Sequence, residues 1–68
     1  MIGKRIKQMR TAAGYSQVEL ARSLNIAQNT LSGYETGFSM PNFDMVEQIA
    51  ALCEFELIFL DKNNMETI

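Results

Sequence analysis

The sequence predicts an all-α domain of four helices followed by one short β-strand. Three observations support this prediction. Apolar residues recur at helical spacing through most of the chain, and residues that cap or stop helices fall between these runs. A block of aromatic and aliphatic residues near the C-terminus lacks the helical period. With 68 residues the chain is expected to be one small domain, which buries only about 60% of the surface that its unfolded form exposes.

The composition lacks the cross-links that stabilise many small domains. Cys53 is the single cysteine, which excludes an internal disulfide, and the chain has no histidine for a structural zinc site. We therefore expect no metal and no cofactor, and oligomerisation remains as a source of added stability. No apolar run reaches the roughly 18 residues of a membrane span, and the N-terminus is charged. These features predict a soluble, cytoplasmic protein with no membrane partner.

The first helix is predicted to begin at Ile2 and to end at Gly14. Its apolar residues are spaced by four, three and four positions and form one stripe. The stripe consists of Ile2, Ile6, Met9 and Ala13. Arg10 lies at the edge of this stripe, where its guanidinium must either reach water or meet a carboxylate.

The second helix begins with a capping box, since Glu19 follows Ser16 by three residues. Its buried side is predicted to contain Leu20, Ala21 and Leu24. Asn25 is expected to end the helix, because Asn tolerates the left-handed backbone conformation better than other residues except Gly.

The third helix is predicted from about Ala27 to Glu35, ending before Gly37. A step of about 100° per residue separates its residues into two sides. What we call the polar face consists of Gln28, Asn29, Ser32 and Gly33. The opposite side consists of Ala27, Thr30, Leu31 and Tyr34. One side can therefore anchor the helix while the polar face remains available to bind a partner.

Asn42 is predicted to cap a fourth helix with Asp44 in its first turn. The apolar side of that helix is formed by Met45, Val46, Ile49, Ala50, Leu52 and Cys53. We interpret Cys53 as a small apolar residue, with redox sensing as the alternative. The preceding connector has no helical period, and its residues Phe38 and Met40 either cover the core or meet a second protomer.

Residues 55–60 are predicted to form a strand, because they are rich in aromatic and aliphatic side chains and too few for a helix. A single strand needs backbone partners that this chain does not offer, so the hypothesis is a two-fold homodimer with an intermolecular ribbon. The dimerisation residues are then Phe55, Leu57, Ile58, Phe59 and Leu60. The alternatives are an extension of the fourth helix and a loop folded over the core.

Charge is divided unevenly along the chain, although its formal net value is only -2. The basic residues Lys4, Arg5, Lys7, Arg10 and Arg22 all precede Glu35, accompanied by a single acid, Glu19. From Glu35 onward Lys62 is the only base among seven acids. Such asymmetry indicates that one half contacts nucleic acid. The alternative is that these charges only keep helix surfaces solvated.

Several of these residues together resemble one family. They are Gly14, Ser16, Gln17, Glu19, Leu20, Ala21, Leu24, Leu31, Tyr34, Glu35, Gly37 and Pro41. With the apolar pattern of the fourth helix, this set is similar to the Cro and phage-repressor type of helix-turn-helix domain over about residues 2–53. The resemblance implies a DNA-binding domain at 1–53. The aromatic and aliphatic run adds a dimerisation strand at 54–61, and the polar sequence that follows predicts a flexible tail at 62–68. The tail of certain antitoxin members is also similar to residues 52–60.

The resemblance implies that the third helix enters the major groove of double-stranded DNA. Gln28 and Asn29 would be the main base readers, because each amide suits the N6 and N7 atoms of adenine. Ser32 would reach a base or a phosphate, and Gln17 would contact both. Lys4, Arg5 and Lys7 are further candidates for the phosphate backbone. The resemblance also implies a structural ion pair between Arg10 and Glu35.

Two positions depart from the family pattern. Asn25 stands where Gly is common, and its tolerance of the left-handed conformation makes the change small. Gly33 stands where relatives often carry a side chain directed into the groove, so one base contact is missing. Specificity at that base pair is then weaker or comes from DNA shape.

The resulting prediction is a sequence-specific transcriptional regulator, a repressor that binds a pseudo-palindromic operator as a homodimer. The alternative is an antitoxin or protein-interaction module that inhibits a toxin or other protein through its acidic half and also binds its own operator. An enzyme is not expected, because the chain lacks histidine and a nucleotide-binding glycine loop.

Overall fold

The structure, a computed structural model, describes residues 2–57 of the chain. Its elements in order are α1 (Ile2–Ala12), α2 (Gln17–Leu24), α3 (Gln28–Thr36) and α4 (Phe43–Leu52). The predicted all-α class with four helices is confirmed. No residue between 2 and 57 lies in a β-strand.

The N-termini of α2 and α4 are capped by the predicted side chains. The Ser16 hydroxyl accepts a hydrogen bond from the Glu19 N–H at 3.0 Å, and the Glu19 carboxylate accepts one from the Ser16 N–H at 2.9 Å. The Asn42 side-chain oxygen accepts from the Met45 N–H at 2.8 Å. These bonds satisfy N–H groups that have no partner within the helix, so local sequence determines where both helices begin.

All four helices are followed by a residue in the left-handed conformation. After α3 it is Gly37 at φ +85°, and after α1, α2 and α4 it is Gly14 at φ +86°, Asn25 at φ +60° and Glu54 at φ +62°. After α1, α2 and α4 the next residue donates its N–H to a carbonyl five positions earlier. The bonds are Tyr15 to Arg10 at 3.1 Å, Ile26 to Ala21 at 3.0 Å and Phe55 to Ala50 at 2.8 Å. This is the Schellman arrangement, which satisfies the last carbonyls and turns the chain sharply.

The core lies between all four helices, because α1 and α2 each pack against both α3 and α4. Its buried residues are Ile6, Met9, Leu20, Ala21, Leu24, Leu31, Ile49, Ala50 and Cys53. Cys53 is therefore an apolar core residue, as interpreted from the sequence. Burial raises the pKa of its thiol against an opposing effect of the Arg10 charge, so the neutral, unreactive form prevails.

The predicted strand at residues 55–60 stays a prediction, because the partner it requires is a second protomer. Within the single chain, residues 55–57 lie in neither a helix nor a strand, and Phe55 donates its N–H to the Ala50 carbonyl at the end of α4. The alternative of a longer fourth helix is wrong, since α4 ends at Leu52. Ile58, Phe59, Leu60 and the predicted tail at 62–68 lie outside the described residues.

A charged pair connects α1 to the last turn of α3. Arg10 donates from Nε to Glu35 Oε2 at 2.6 Å and from Nη2 to Glu35 Oε1 at 3.1 Å. Its third nitrogen, Nη1, donates to the Tyr15 carbonyl at 2.9 Å. The side chains are 11% and 3% exposed, respectively. A bidentate pair with so little exposure fixes the relative position of the two helices far better than a surface ion pair.

Gly3 allows α1 to approach α3 closely at the same place. A Cβ added to Gly3 would lie 2.5 Å from the Tyr34 carbonyl oxygen and 2.7 Å from that of Glu35. Because these neighbours are backbone atoms that cannot rotate away, any larger residue would push the helices apart.

The ion pair keeps Glu35 ionised despite its burial. Burial raises the pKa of the carboxyl, but hydrogen bonds from Arg10 and Gln17 and the charges of Arg10 and Lys7 outweigh it. The pKa therefore lies below the ordinary carboxyl value. A lowered pKa means that the stabilisation is complete above the ordinary value of about 4.3 and is lost as pH falls through the lower value of the folded state.

We expect Glu35→Gln to lower the free energy of unfolding by about 2 kcal/mol at pH 7, because Arg10 then keeps its charge without a carboxylate. Urea unfolding followed by circular dichroism measures this at several pH values. The difference between wild type and variant should shrink as pH falls below the ordinary carboxyl value of about 4.3 and through the lower pKa of folded Glu35, where the wild-type carboxyl also becomes neutral. Glu47→Gln, at an exposed position of α4, is the matched control and should change little. A difference that stays constant with pH would contradict the role assigned to the charge.

Candidate nucleic-acid interface

The α2 and α3 helices are joined by a turn of three residues, Asn25, Ile26 and Ala27. Asn25 reverses the chain, and Ile26 is half-buried against the core. Leu31 is fully buried and anchors α3, while Tyr34 packs partly against the same core. The turn and these two contacts determine which side of α3 faces outward.

The outward side of α3 contains the polar face. Gln28 and Asn29 are exposed, and Ser32 and Gly33 are half-buried. Thr36 is also exposed and follows Gln28 by about two turns. It lies about 80° from Gln28 around the helix axis, so both residues are on the same side. Thr36 was not predicted as part of the polar face, because the helix was expected to end at Glu35. The signal that could have found it is Gly37, the residue at which the helix stops.

The opposite side of α3 differs from the predicted one at its first residue. Ala27 is exposed, because it is the N-cap with an extended backbone at φ -71° and ψ 148°. It therefore lies outside the helical rotation that grouped it with Leu31. Thr30 is half-buried.

A chain of hydrogen bonds connects the ion pair to the polar face. Gln17 donates from Nε2 to Glu35 Oε1 at 3.0 Å, and Gln28 donates from Nε2 to Gln17 Oε1 at 3.4 Å. A carboxylate only accepts hydrogen bonds, so it fixes which end of the Gln17 amide faces it. The Gln17 oxygen then accepts the hydrogen bond from the Gln28 amide nitrogen. Side chains of α2 and α3 thus hold the exposed amide of Gln28 in position.

The candidate phosphate-binding residues of α1 are all exposed, but they lie on different sides. Lys4 lines a groove with Thr36 and Gly37 at the end of α3. Lys7 lies close enough to Glu35 for its charge to lower the pKa of that carboxyl. Arg5 instead lines an apolar groove with Met9, Val46, Phe55 and Leu57. The structure therefore places Lys4 and Lys7 near α3, and Arg5 beside the C-terminal segment.

Arg22 is a basic residue that the sequence analysis did not assign. It is exposed at the end of α2 and lines a groove with Val18, Asn25 and Gln28. The sequence feature that pointed to Arg22 is the excess of basic residues in the first half of the chain. Hydrogen bonds from Ser16 lower the pKa of Glu19, and the charge of Arg22, three residues further on, adds a smaller effect in the same direction.

The part of the chain from residue 2 to 57 offers neither a metal site nor a membrane span. It contains no group of three or more Asp, Glu, Cys or His side chains that could hold a metal ion. None of its helices is both long and apolar enough to cross a bilayer.

Known proteins share this sequence pattern. The profile of the family described as helix-turn-helix matches residues 6–60. The HTH-type transcriptional regulator ImmR of Bacillus subtilis is 43% identical over 51 residues, or 75% of this chain and 40% of ImmR. The HTH-type transcriptional regulator SinR of the same organism is 35% identical over 68 residues, or 98% of this chain and 61% of SinR. The antitoxin PezA of Streptococcus pneumoniae is 36% identical over 61 residues, or 90% of this chain and 37% of PezA.

Solved structures share the fold as well. A crystal structure of SinR, described as the master regulator for biofilm formation, in complex with DNA matches with a TM-score of 0.74 and 37% identity. The match covers 82% of this chain and 90% of that one. A complex of SinR with the SinI protein matches with a TM-score of 0.70 and 35% identity, over 82% and 55% of the chains.

The chain spans less than two thirds of each of these three curated relatives, from 37% of PezA to 61% of SinR. The similarity therefore concerns the region that contains α1 to α4. Within that region the capping box, the turn at Asn25 and the buried Leu31 reproduce the predicted pattern. The family profile matches more than half of the chain. The chain therefore belongs to the helix-turn-helix family of the Cro and phage-repressor type.

Proposed function

We propose that this chain is a sequence-specific regulator of transcription, a repressor that binds double-stranded DNA through α3 in the major groove. The observation that carries the proposal is the polar face, where Gln28 and Asn29 are exposed on a helix anchored by the buried Leu31. The similarity to SinR, which has been crystallised in complex with DNA, supports it. In helix-turn-helix domains the second helix of the motif, which is α3 in this chain, lies in the major groove of DNA.

In this proposal Gln28 and Asn29 read bases through their amides. Gln28 uses one N–H on Gln17, which leaves its oxygen and its other N–H for the N6 and N7 atoms of adenine. Ser32 adds a hydroxyl to the same surface. Gln17 contacts a base edge or a phosphate at the start of α2, where helix N–H groups also attract phosphate. A domain that reads adenine through fixed amides needs no arginine in α3.

Lys4, Arg5 and Lys7 supply charge to the phosphate backbone in this proposal. Phosphate contacts position a protein on DNA and do not read its sequence. Lys4 and Lys7 are the stronger candidates because both lie near α3, whereas Arg5 lines the groove beside Phe55.

Homodimerisation through the C-terminal segment completes the proposal. Phe55 is 44% exposed, and with Leu57 it borders an apolar groove between α1 and α4. These residues, together with Ile58, Phe59 and Leu60, would pair two protomers. Two copies related by a two-fold axis would then bind a pseudo-palindromic operator.

A second candidate function is an antitoxin that neutralises a partner protein and binds its own operator. Two findings favour it: the similarity to the antitoxin PezA, and the SinR structure in complex with the SinI protein. Glu54 and Glu56, both exposed in the acidic half, would then belong to the partner surface. Co-purification of the product of the neighbouring gene, with arrest of growth when that product is expressed alone, distinguishes this function from regulation only.

Replacing Gln28 by Ala should weaken binding to the cognate operator by about 1 to 3 kcal/mol, because a bidentate base contact is lost. Fluorescence anisotropy on a duplex selected by the wild-type protein measures the change. Affinity for unrelated duplexes should barely change, since phosphate contacts remain. Gln48→Ala, at an exposed position of α4, is the matched control. Equal losses on all sequences would assign Gln28 to the backbone instead.

Removal of one phosphate contact should reduce the salt dependence of binding. For Lys7→Ala or Arg5→Ala we expect the slope of log K against log salt to fall by about 0.9, because one fewer counterion is released. Titrations at several salt concentrations measure it, with Lys62→Ala in the acidic half as the control. A slope equal to that of the wild type would remove the substituted residue from the phosphate-binding set.

Leu57→Asp should convert the dimer to a monomer, because a carboxylate would be desolvated between the protomers. Sedimentation velocity at micromolar concentration measures the mass. The same variant should lose about 100-fold or more in affinity for a two-fold operator with half-sites roughly 34 Å apart, because the second half-site is no longer bound in tandem. Val18→Asp, which changes another exposed apolar residue, should remain dimeric. A wild-type chain that sediments as a monomer would contradict the dimer.

A further inference from the structure

The connector between α3 and α4 exposes two large apolar side chains. Phe38 is 91% exposed and Met40 is 76% exposed. The sequence left open whether these residues cover the core or meet a second protomer, and their exposure shows that they do not cover the core. An aromatic ring that is this exposed forgoes the free energy of burial. The surface on which it lies is therefore a candidate binding site.

Phe38 lies beside the one position of the polar face that has no side chain. A Cβ added to Gly33 would lie 3.7 Å from Cδ2 and 4.0 Å from Cβ of Phe38. The same added atom would lie 2.9 Å from the Ser39 hydroxyl oxygen, too close for that neighbour to stay in place. Ser39 also donates its N–H to the Gly33 carbonyl at 3.2 Å. The connector thus folds back onto α3 at Gly33, and the aromatic ring stands where a side chain of α3 is missing.

We infer that Phe38 is a specificity-determining residue that contacts the 5-methyl group of a thymine in the major groove. This inference rests on the proposed function, since it requires α3 to lie in that groove. The thymine methyl is the one apolar group that the base pairs present there, and phenylalanine is suited to it because it offers apolar contact without hydrogen bonding. The contact would supply the base recognition that Gly33 itself lacks.

The surroundings of the ring favour DNA over a protein partner. Phe38 follows the C-terminal end of α3, and both it and Ser39 lie beside Gly33 of the polar face. A protein-binding site usually presents a contiguous apolar patch. Phe38 instead stands beside Gly33 and the Ser39 hydroxyl, and Met40, the other exposed side chain, lines a groove with Lys4 and Thr36. The chemistry matches that of a thymine, which offers one methyl among hydrogen-bonding atoms.

The test replaces thymine by deoxyuracil, which removes only the methyl group. A duplex is first selected from a randomised pool with the wild-type chain, and each thymine of one half-site is then replaced in turn. At one thymine, the wild type should lose about fourfold in affinity, the value that corresponds to one buried methyl group. Phe38→Ala should bind the thymine duplex at least fourfold more weakly than the wild type and should not respond to deoxyuracil. Met40→Ala, the matched control in the same connector, should respond as the wild type does.

The possible failures point to different causes. If the wild type binds its duplex but no thymine replacement is coupled to Phe38, the inference is overturned while the proposed function stands. If the wild type selects no duplex at low salt, the proposed function and the inference both fail. If Phe38→Ala changes the sedimenting mass, the ring belongs to a contact between protomers and the inference is overturned. An unchanged salt slope for Phe38→Ala is also expected, because no charge is removed.

Discussion

The buried pair between Arg10 and Glu35 is the interaction on which the rest of the structure depends. It connects α1 to α3, and through Gln17 it extends to Gln28 on the exposed side. The same carboxylate therefore contributes to folding and orients the Gln17 amide that holds Gln28. A domain without a disulfide obtains rigidity at this site from a fully bonded polar network instead. Loss of one member of this network lowers the free energy of unfolding, because a buried charge without its partner is strongly destabilising.

Much of the fold was predictable because local signals and apolar periodicity agreed. Ser16, Glu19 and Asn42 cap their helices through bonds within three residues, so a sequence reveals them directly. Leu31 could be placed inside by helical rotation alone. The pair of Arg10 and Glu35 spans 25 positions, and only the resemblance to a family could suggest it.

What could not be predicted depends on backbone turns and on contacts between distant segments. Glu54 adopts a left-handed conformation that side chains other than Gly and Asn rarely favour, so nothing in the sequence showed that Phe55 would bond back to α4. The position of Phe38 against Gly33 is a second example. A glycine on the polar face suggested only a missing contact, because folding of the connector onto α3 is not visible in the periodicity of either segment.

The left-handed residue Glu54 has a geometric consequence for the proposed dimer. Phe55 and Leu57 border the groove between α1 and α4, whereas the amides of α3 project elsewhere on the surface. If two copies join beyond residue 54, the backbone torsions of Glu54 help to set the position of one α3 helix relative to the other. The spacing between the two α3 helices of such a dimer then depends on a residue outside α3. A substitution at Glu54 would change this spacing without altering Gln28 or Asn29.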